Sequence, residues 1–492
     1  MGAVRVSSLA GRGGVECQAS RKLGHDGRPA ERLARAQAAG GVGTRAARTV
    51  EAAQGLPEIR WDPGLPDVVL PEALPWRRRV LKHPRLMQSN RLALLVLMVN
   101  LVIFGWGLGN HWWLEVVNVA LVTQVNFALG ILVRQQFFVN WLSRAVMKVP
   151  KSWPLRLRWT LAKGYHLGGL HVGGAVCGTL WFLGLTVVAT GEVGLGLLLV
   201  YYVQTLLLLA IVMTARPGFR ATRHDLFERV HRFGGWGLSV LFWIGAVLLV
   251  DERRGAESLP TALAGTPTVW VLVLTTLSSL VPWMLLRRIP IDVVRPSSHV
   301  ALVRGGRGRP MAGSTRSISR HPLRQWHSFA VIPTPGAPGF RMAVSRAGDW
   351  TGDFIDNPPS HVWVRGVATA GMANYGTVFR RVVYVVTGSG IGPVLAHVLA
   401  ARVPYKLVWV TRDPVKTYGQ ELVDEILAAQ PDTLIWDTDA HGKPDMVKLA
   451  YSAYSSSNAE AVICVSNKKV TWSVVHGMER LGIPALGPIW DS

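Results

Sequence analysis

The stretch Val382–Ala400, VVYVVTGSGIGPVLAHVLA, decides the fold. Residues 382–386 are apolar on both faces and mostly β-branched, which reads as a strand buried inside a parallel sheet. Thr387-Gly388-Ser389-Gly390-Ile391-Gly392-Pro393 follows, and then a helical pattern. Glycines let the backbone come close to a pyrophosphate, and the start of a helix offers free N–H groups and the positive end of its dipole. Pro393 suits the first helical turn, where its missing N–H costs nothing. The bland alternative is a tight turn. The strand before it and the helix after it favour a nucleotide, so Thr387, Gly388, Gly390, Gly392 and Pro393 are assigned to nucleotide phosphates.

Downstream, the candidate strands 406–410, 433–436 and 461–465 alternate with helical patterns, so 380–492 reads as a parallel α/β domain. Thr411-Arg412-Asp413 ends its second strand. Arg412 suits the 2′-phosphate of NADP, Asp413 suits the 2′-hydroxyl of NAD, and a helix cap before Pro414 is the third option. Cys464-Val465-Ser466-Asn467 ends the fourth strand, either beside a nicotinamide or simply in the core. Upstream, 288–379 is broken by Pro and Gly into short β-rich pieces such as HSFAVIP, FRMAVSR and HVWVRGVA, which suit a small antiparallel barrel.

Further upstream, 91–287 reads as a multi-span helical membrane bundle. Apolar runs lie near 91–109, 112–133, 165–190, 193–214, 233–250 and 268–286, each close to the roughly 20 residues that cross a bilayer. The composition agrees: 49% hydrophobic, 17% charged and 20 tryptophans in 492 residues. The formal charge of +23 fits basic cytoplasmic loops better than nucleic acid in so apolar a chain. Arg134, Arg144, Lys148, Lys151, Arg156, Arg158 and Lys163 place one loop in the cytoplasm. Arg216, Arg220, Arg223, Arg229 and Arg232 place another there. About six spans then leave both termini cytoplasmic. Residues 61–90 form a basic juxtamembrane segment. Residues 1–60, rich in Ala, Gly and Arg, read as a targeting sequence or a disordered tail. Three cysteines without a CxxC pair exclude a disulfide scaffold and a cysteine metal site.

The G-x-G-x-x-P turn behind a barrel resembles the ferredoxin–NADP reductase-like flavoproteins. Arg324-Gln325-Trp326-His327-Ser328-Phe329-Ala330 and Ser345-Arg346-Ala347-Gly348-Asp349-Trp350-Thr351 resemble flavin segments of the ferric reductase and NADPH oxidase superfamily. HDLFERVHRFGGW, WHSFA and the ending GPIWDS look most like its TmpA-type membrane flavoproteins. The resemblance implies bound FAD and NAD(P)H, with electrons passing to haem or to another acceptor. It places FAD on His327, Ser328, Phe329, Arg346, Thr351 and Thr369, with Trp490 covering the flavin ring. Two departures stand out: Ser328 replaces a proline, and Ala330 replaces a hydroxyl residue that donates to the flavin.

Relatives carry haem on histidines 13 or 14 residues apart on two helices. Here His166 and His171, and His224 and His231, all lie near cytoplasmic span ends, and Leu180, Ile244 and Gly245 stand at the distal depth. His166 and His171 point about 140° apart on a helix and cannot share one ligand face. At most one haem b is expected, on His171 and His231; solvated histidines of an interfacial segment are the alternative. Two rival functions remain: a regulatory membrane flavoprotein with little turnover, and a nucleotide-sensing transporter.

Overall fold

The computed structural model describes residues 68–80, 82–83, 86–306, 310–333 and 338–488. The N-terminal segment 1–60 and Trp490 lie outside them.

All six apolar runs are helical. The helices are α1 (Gln88–Asn110), α2 (Val116–Leu132), α3 (Gln136–Met147), α4 (Gly168–Ala189), α5 (Leu195–Thr214), α6 (His224–Arg253) and α7 (Pro267–Met284). Among them α1, α4, α5, α6 and α7 are long and apolar enough to cross a membrane. The second run, near 112–133, ends with α2, and the basic segment after it, expected to be a loop, begins with a further helix, α3. α2 turns by 64° into the amphipathic α3. The turn is pinned by Gln135, whose Oε1 caps Phe137 N at 3.1 Å and whose Nε2 donates to Ser278 O at 2.9 Å. α3 then lies on the C-terminal half of the chain. Asn140 donates to Ala368 O at 2.9 Å and accepts from Ala370 N at 2.8 Å, and the Ser143 and Tyr375 hydroxyls meet at 2.8 Å.

α4 packs between α1 and α2, and its glycines make that possible. A Cβ on Gly169 would lie 1.8 Å from Ser89 O, and one on Gly174 would lie 2.6 Å from Asn126 O. Small residues at such contacts let helix backbones approach closely. Three of the polar side chains at this contact pair with each other. Asn100 and Asn126 exchange amide hydrogen bonds of 2.9 and 2.8 Å, and Trp181 Nε1 donates to Asn100 Oδ1 at 2.8 Å. The outward faces are apolar, with Val102 and Leu206 both 69% exposed.

The antiparallel sheet that follows has the order β4-β3-β7-β1-β2-β6-β5, and β8 (Thr369–Ala370) also pairs with β3. Its strands are β1 (Arg287–Val294), β2 (Val300–Gly305), β3 (Ser314–Ser319), β4 (His327–Ala330), β5 (Ile332–Pro333), β6 (Phe340–Ser345) and β7 (His361–Val364). The two edge strands, β4 and β5, are separated in sequence by Val331 alone, so the sheet curls into a nearly closed barrel. Ala301, Val303, Ile318, Met342, Val344 and Val364 fill it. Helix α8 (Asp349–Asp356) plugs it with fully buried Phe354 and Ile355.

The last sheet is parallel, in the order β11-β10-β9-β12-β13. It comprises β9 (Val382–Thr387), β10 (Tyr405–Thr411), β11 (Leu434–Asp437), β12 (Ala461–Val465) and β13 (Ala485–Leu486). Helices α9 (Ile391–Ala400), α10 (Pro414–Tyr418), α11 (Gln420–Ala429), α12 (Met446–Ser456) and α13 (Lys468–Arg480) connect and cover it. β9 shows why its run is apolar throughout: Val382, Tyr384 and Val386 enter one core and Val383 and Val385 the other.

Arg158, with 3% of its side chain exposed, lies in the short helix Leu155–Ala162 before α4 and ties it to this sheet. Its guanidinium donates to both Glu460 oxygens at 2.7 and 3.0 Å, to Val378 O at 2.8 Å and to Trp153 O at 2.8 Å. Burial alone would raise the Glu460 carboxyl. Hydrogen bonds from Arg158 and the Arg380 backbone outweigh that and hold it below its ordinary value. A carboxyl lowered by folding contributes stability above its unfolded pKa and loses it as pH falls through the folded one. Arg158→Ala should therefore cost about 1–3 kcal/mol near neutrality, because it leaves Glu460 only its contacts with Arg380. The cost should shrink at acid pH. Thermal melts of the detergent-purified chain from pH 7 to pH 3 check this, and a pH-independent difference would contradict the assignment.

Candidate functional site

The chain order β9, β10, β11 builds one side of the parallel sheet, and β12, β13 build the other. The order reverses between β9 and β12, and their C-terminal ends bound the crevice where such sheets bind ligands. The glycine turn sits there. Gly388 has φ +47°, a left-handed conformation that a side chain strains. Its carbonyl accepts from Trp409 Nε1 at 3.0 Å. Trp409 and Tyr418, both fully buried, form the floor with rings 5.1 Å apart. A Cβ on Gly390 would lie 2.1 Å from Val465 O. That contact fixes the turn against β12. Thr387 and Ser466 join the two strand ends by a short hydroxyl–hydroxyl bond. No side chain caps the start of α9, so the dipole end faces the crevice. Gly392 faces the barrel, 3.3 Å from Ala343 Cβ on β6 when given a Cβ.

At the end of β10 the two neighbours separate. Asp413 Oδ1 accepts from Lys416 N at 3.1 Å and so caps α10. The Arg412 side chain is 78% exposed and lies 3.8 Å from Asp439. Cys464 is fully buried in the sheet core, where burial pushes its thiol up to about 12; the core reading of that residue holds.

In the barrel, His327 and Phe329 share one face of β4 as the alternation implies. That face is covered by Trp350, whose ring stacks on His327 at 4.1 Å and on Phe329 at 6.2 Å, and on Phe354 at 5.2 Å. His327 Nε2 is buried without a hydrogen-bond partner among the described residues. Burial, then the nearby His224, lower its pKa. Ser328 points to the other face and bonds Ser317 at 2.7 Å. Arg346 lies at the head of α8 against Gly352, but it is already engaged: it grips Asp356 bidentately at 3.0 and 2.5 Å and Ser298 O at 3.0 Å. Thr351, 8% exposed, spends its hydroxyl on its own loop, accepting from Ala347 N at 2.8 Å and Gly348 N at 3.1 Å. Thr369 is held in β8, where its carbonyl accepts from Thr315 at 3.2 Å. Sequence reasoning missed Trp350 as the cover of β4 and Asp356 as the partner of Arg346. Both lie in or just beyond the quoted segment, but only the placement of α8 reveals the contacts.

In the helical bundle, His171 and His231 come together across two helices, with ring centres 6.1 Å apart and planes at 66°. His171 Nδ1 lies 2.9 Å from Gly130 O. That bond leaves Nε2 as the available lone pair. Among the described residues, no cluster of three or more His, Cys, Asp or Glu could hold a metal ion.

With this geometry in place, comparison with known proteins is informative. Residues 372–492 match the family described as adenylate-forming reductase 03009, C-terminal domain. The chain is 38% identical over 421 residues to adenylate-forming reductase 03009 of Coprinopsis cinerea and 37% identical over 422 residues to adenylate-forming reductase 06235 of the same organism. Each alignment covers 84% of this chain but 41% of the relative, so the chain spans about two fifths of the length of the curated relatives it matches. Over most of its length the chain is similar to these two proteins. A ferredoxin NADP+ reductase from Neisseria gonorrhoeae, solved with bound FAD and NADP, is 15% identical, with 42% of this chain and 98% of that one covered, at a TM-score of 0.35.

Gly390→Ala should force the turn off Val465. Overpacking of this kind costs typically about 1–3 kcal/mol. The expected result is nucleotide affinity weakened at least about tenfold, by titration calorimetry with NADPH and NADH, while the chain stays folded. Unchanged affinity would remove the turn from the site.

Proposed function

We propose that this chain is a membrane-embedded oxidoreductase that binds FAD in the barrel and NAD(P)H in the crevice between β9 and β12. The observation that carries the reading is the glycine turn, locked against Val465 at the reversal of strand order, with an uncapped helix start behind it and the barrel strand β6 beside it. Flavin, when bound, accepts a hydride pair and passes electrons on singly. The chain's residues supply binding and orientation. The turn and the head of α9 receive the nucleotide phosphates. Arg412 receives a 2′-phosphate, and since Asp413 is occupied as a cap, NADPH is the favoured donor. Arg346 and the head of α8 hold the flavin pyrophosphate, and the unpartnered His327 Nε2 addresses the flavin.

The membrane part of the proposal rests on apolar outward faces that would be costly in water. The basic loops point the same way. Arg158 and Arg232, one from each basic segment, contact the C-terminal half, through Glu460 and through Leu323 and Arg324 carbonyls. With up to six spans, both described ends then lie on one side, the cytoplasmic one by the positive-inside rule. The finer reading, a ferric reductase or TmpA-type flavoprotein, adds one haem b on His171 and His231. Their rings would hold it from two helices, and what supports the choice is that they come together with centres 6.1 Å apart. The electron acceptor is left open.

The Arg346–Asp356 pair favours a second reading, a regulatory membrane protein that binds NAD(P) with little turnover, because the arginine is already neutralised. The purified chain should show flavin bands and oxidise NADPH faster than NADH with ferricyanide as acceptor; absence of both flavin and NAD(P)H oxidation would overturn the oxidoreductase. Arg346→Ala should lose flavin about tenfold more readily, whereas Asp356→Ala should retain it. Equal loss in both would make the pair structural. Arg412→Ala should erase the NADPH preference. Pyridine haemochrome should give one haem per chain, lost in His171→Ala and His231→Ala; a value near zero would remove the haem and leave the flavin reading standing.

A further inference from the structure

The loop between β1 and β2, residues 295–299, touches both halves of the proposed cofactor site. On the flavin side it holds α8 and Arg346. Arg295 donates to the Ile355 and Asp356 carbonyls at 3.3 and 3.2 Å, at the end of α8. Arg346 N donates to His299 O at 2.9 Å, and its Nε donates to Ser298 O at 3.0 Å.

On the nucleotide side, Ser297 Oγ donates to Thr417 O at 2.7 Å. Thr417 in turn ties α10 to the end of β10. Its hydroxyl donates to Arg412 O at 3.0 Å, and its N–H donates to Asp413 O at 2.9 Å. Loop and turn also pack: a Cβ on Gly419, at φ +87°, would lie 3.2 Å from Pro296 Cβ. A run of hydrogen bonds, joined by the Ser297–Ser298 peptide, therefore leads from the guanidinium of Arg346 to the backbone of Arg412.

The acid beside Arg346 belongs to the same network. Hydrogen bonds from Arg346 keep the Asp356 carboxyl below its ordinary value, and the charge of Arg295 acts in the same direction. The terminal nitrogens of Arg346 that grip Asp356 are the ones a pyrophosphate would take, and Nε is left to Ser298. Asp356 then retains the charge of Arg295, on the loop itself.

We propose that this loop is a relay between the two sites and that Ser297 is its positioning residue: flavin on Arg346 steadies residues 295–299, and Ser297 passes that order to the turn that aims Arg412 at a 2′-phosphate. The inference rests on the reading of barrel and crevice given above. A segment already ordered by one ligand costs less to order for the next, which couples the two positively without a change of shape. The barrel and the parallel sheet are also joined away from the loop, by Arg341 of β6, which grips Glu425 of α11 at 2.9 and 2.7 Å. Loss of the Ser297 hydroxyl therefore cuts the relay and leaves the two sheets together.

The test uses the full chain in detergent, stripped of flavin and then reloaded with FAD. The probe is adenosine 2′,5′-bisphosphate, which carries the 2′-phosphate but no nicotinamide, so direct contact with the flavin ring cannot produce the coupling. By titration calorimetry the probe should bind at least about fivefold tighter with FAD present, and it should tighten FAD by the same factor. In Ser297→Ala that ratio should fall to about one, and Ser297→Thr, which keeps the hydroxyl, should retain it. Arg295→Gln should lower it as well, which supplies a second test if Ser297→Ala does not fold. Amides of residues 412–419 should exchange hydrogen more slowly with FAD in the wild type, and at one rate with and without FAD in Ser297→Ala.

A merely structural Ser297 would weaken the probe equally in both states and leave the ratio intact. That result would overturn the relay, and so would a wild-type chain that binds both ligands without coupling; in either case the reading of the site survives. Failure of the wild type to bind FAD or the probe would instead overturn that reading, and the relay with it.

Discussion

One buried guanidinium organises the junction of this protein. Arg158 comes from a short helix between apolar helices, yet all its partners but one lie more than 200 residues away, in the 3-10 segment after the barrel and in the turn before β12. A charge so deeply buried is tolerable only when every donor finds an acceptor. The geometry of the junction is therefore set by hydrogen-bond satisfaction and not by general stickiness. The same logic recurs around it. Asn140 bonds the barrel backbone, Ser143 bonds Tyr375, and Lys163 bonds Glu479. Polar groups of α3 and of the segment before α4 are spent on the C-terminal half, which fixes the side of the bundle on which the two sheets sit.

That fixed placement gives the crevice its character. Nucleotide phosphates are bound by backbone amides, and amides can be aimed only if the turn carrying them is immobile. Here the turn is held from three directions: Trp409 beneath Gly388, Val465 beside Gly390, and β6 of the barrel beyond Gly392. The missing Cβ is what allows the approach at Gly390, whereas Gly388 is needed for its left-handed φ of +47°. The barrel contributes a wall of the crevice as well as its own binding surface, so flavin and nicotinamide chemistry can meet where β6 passes α9.

The barrel side is less open than its sequence motif implies. Trp350 lies on the face of β4, Thr351 closes its own loop, and Arg346 holds Asp356. Each contact replaces an interaction that the resemblance assigned to FAD. An exposed ion pair is weak in water, so a pyrophosphate can compete for Arg346 with little loss to the fold. The stack of His327 on Trp350 is a packed contact between apolar faces, and a flavin placed against β4 must share that surface.

The sequence by itself determined what depends on local pattern. The apolar runs specify the long helices, the β-branched runs specify β9 to β12, and the G-x-G-x-x-P spacing specifies a strand–turn–helix. These are legible because periodicity reports which faces are buried, and because glycine and proline act on the backbone directly. The sequence also offered two readings of Arg412 and Asp413 and could not choose, since capping by Asp413 depends on where α10 starts. Only the tertiary structure decided the 64° turn between α2 and α3, which comes from what α3 docks on and not from its own composition. It decided that Arg346 meets Asp356, that Trp350 covers β4, and that Ser297 meets Thr417. Each of these is a meeting of side chains from different elements. Such meetings follow from how the elements pack, and no local period in the chain encodes them.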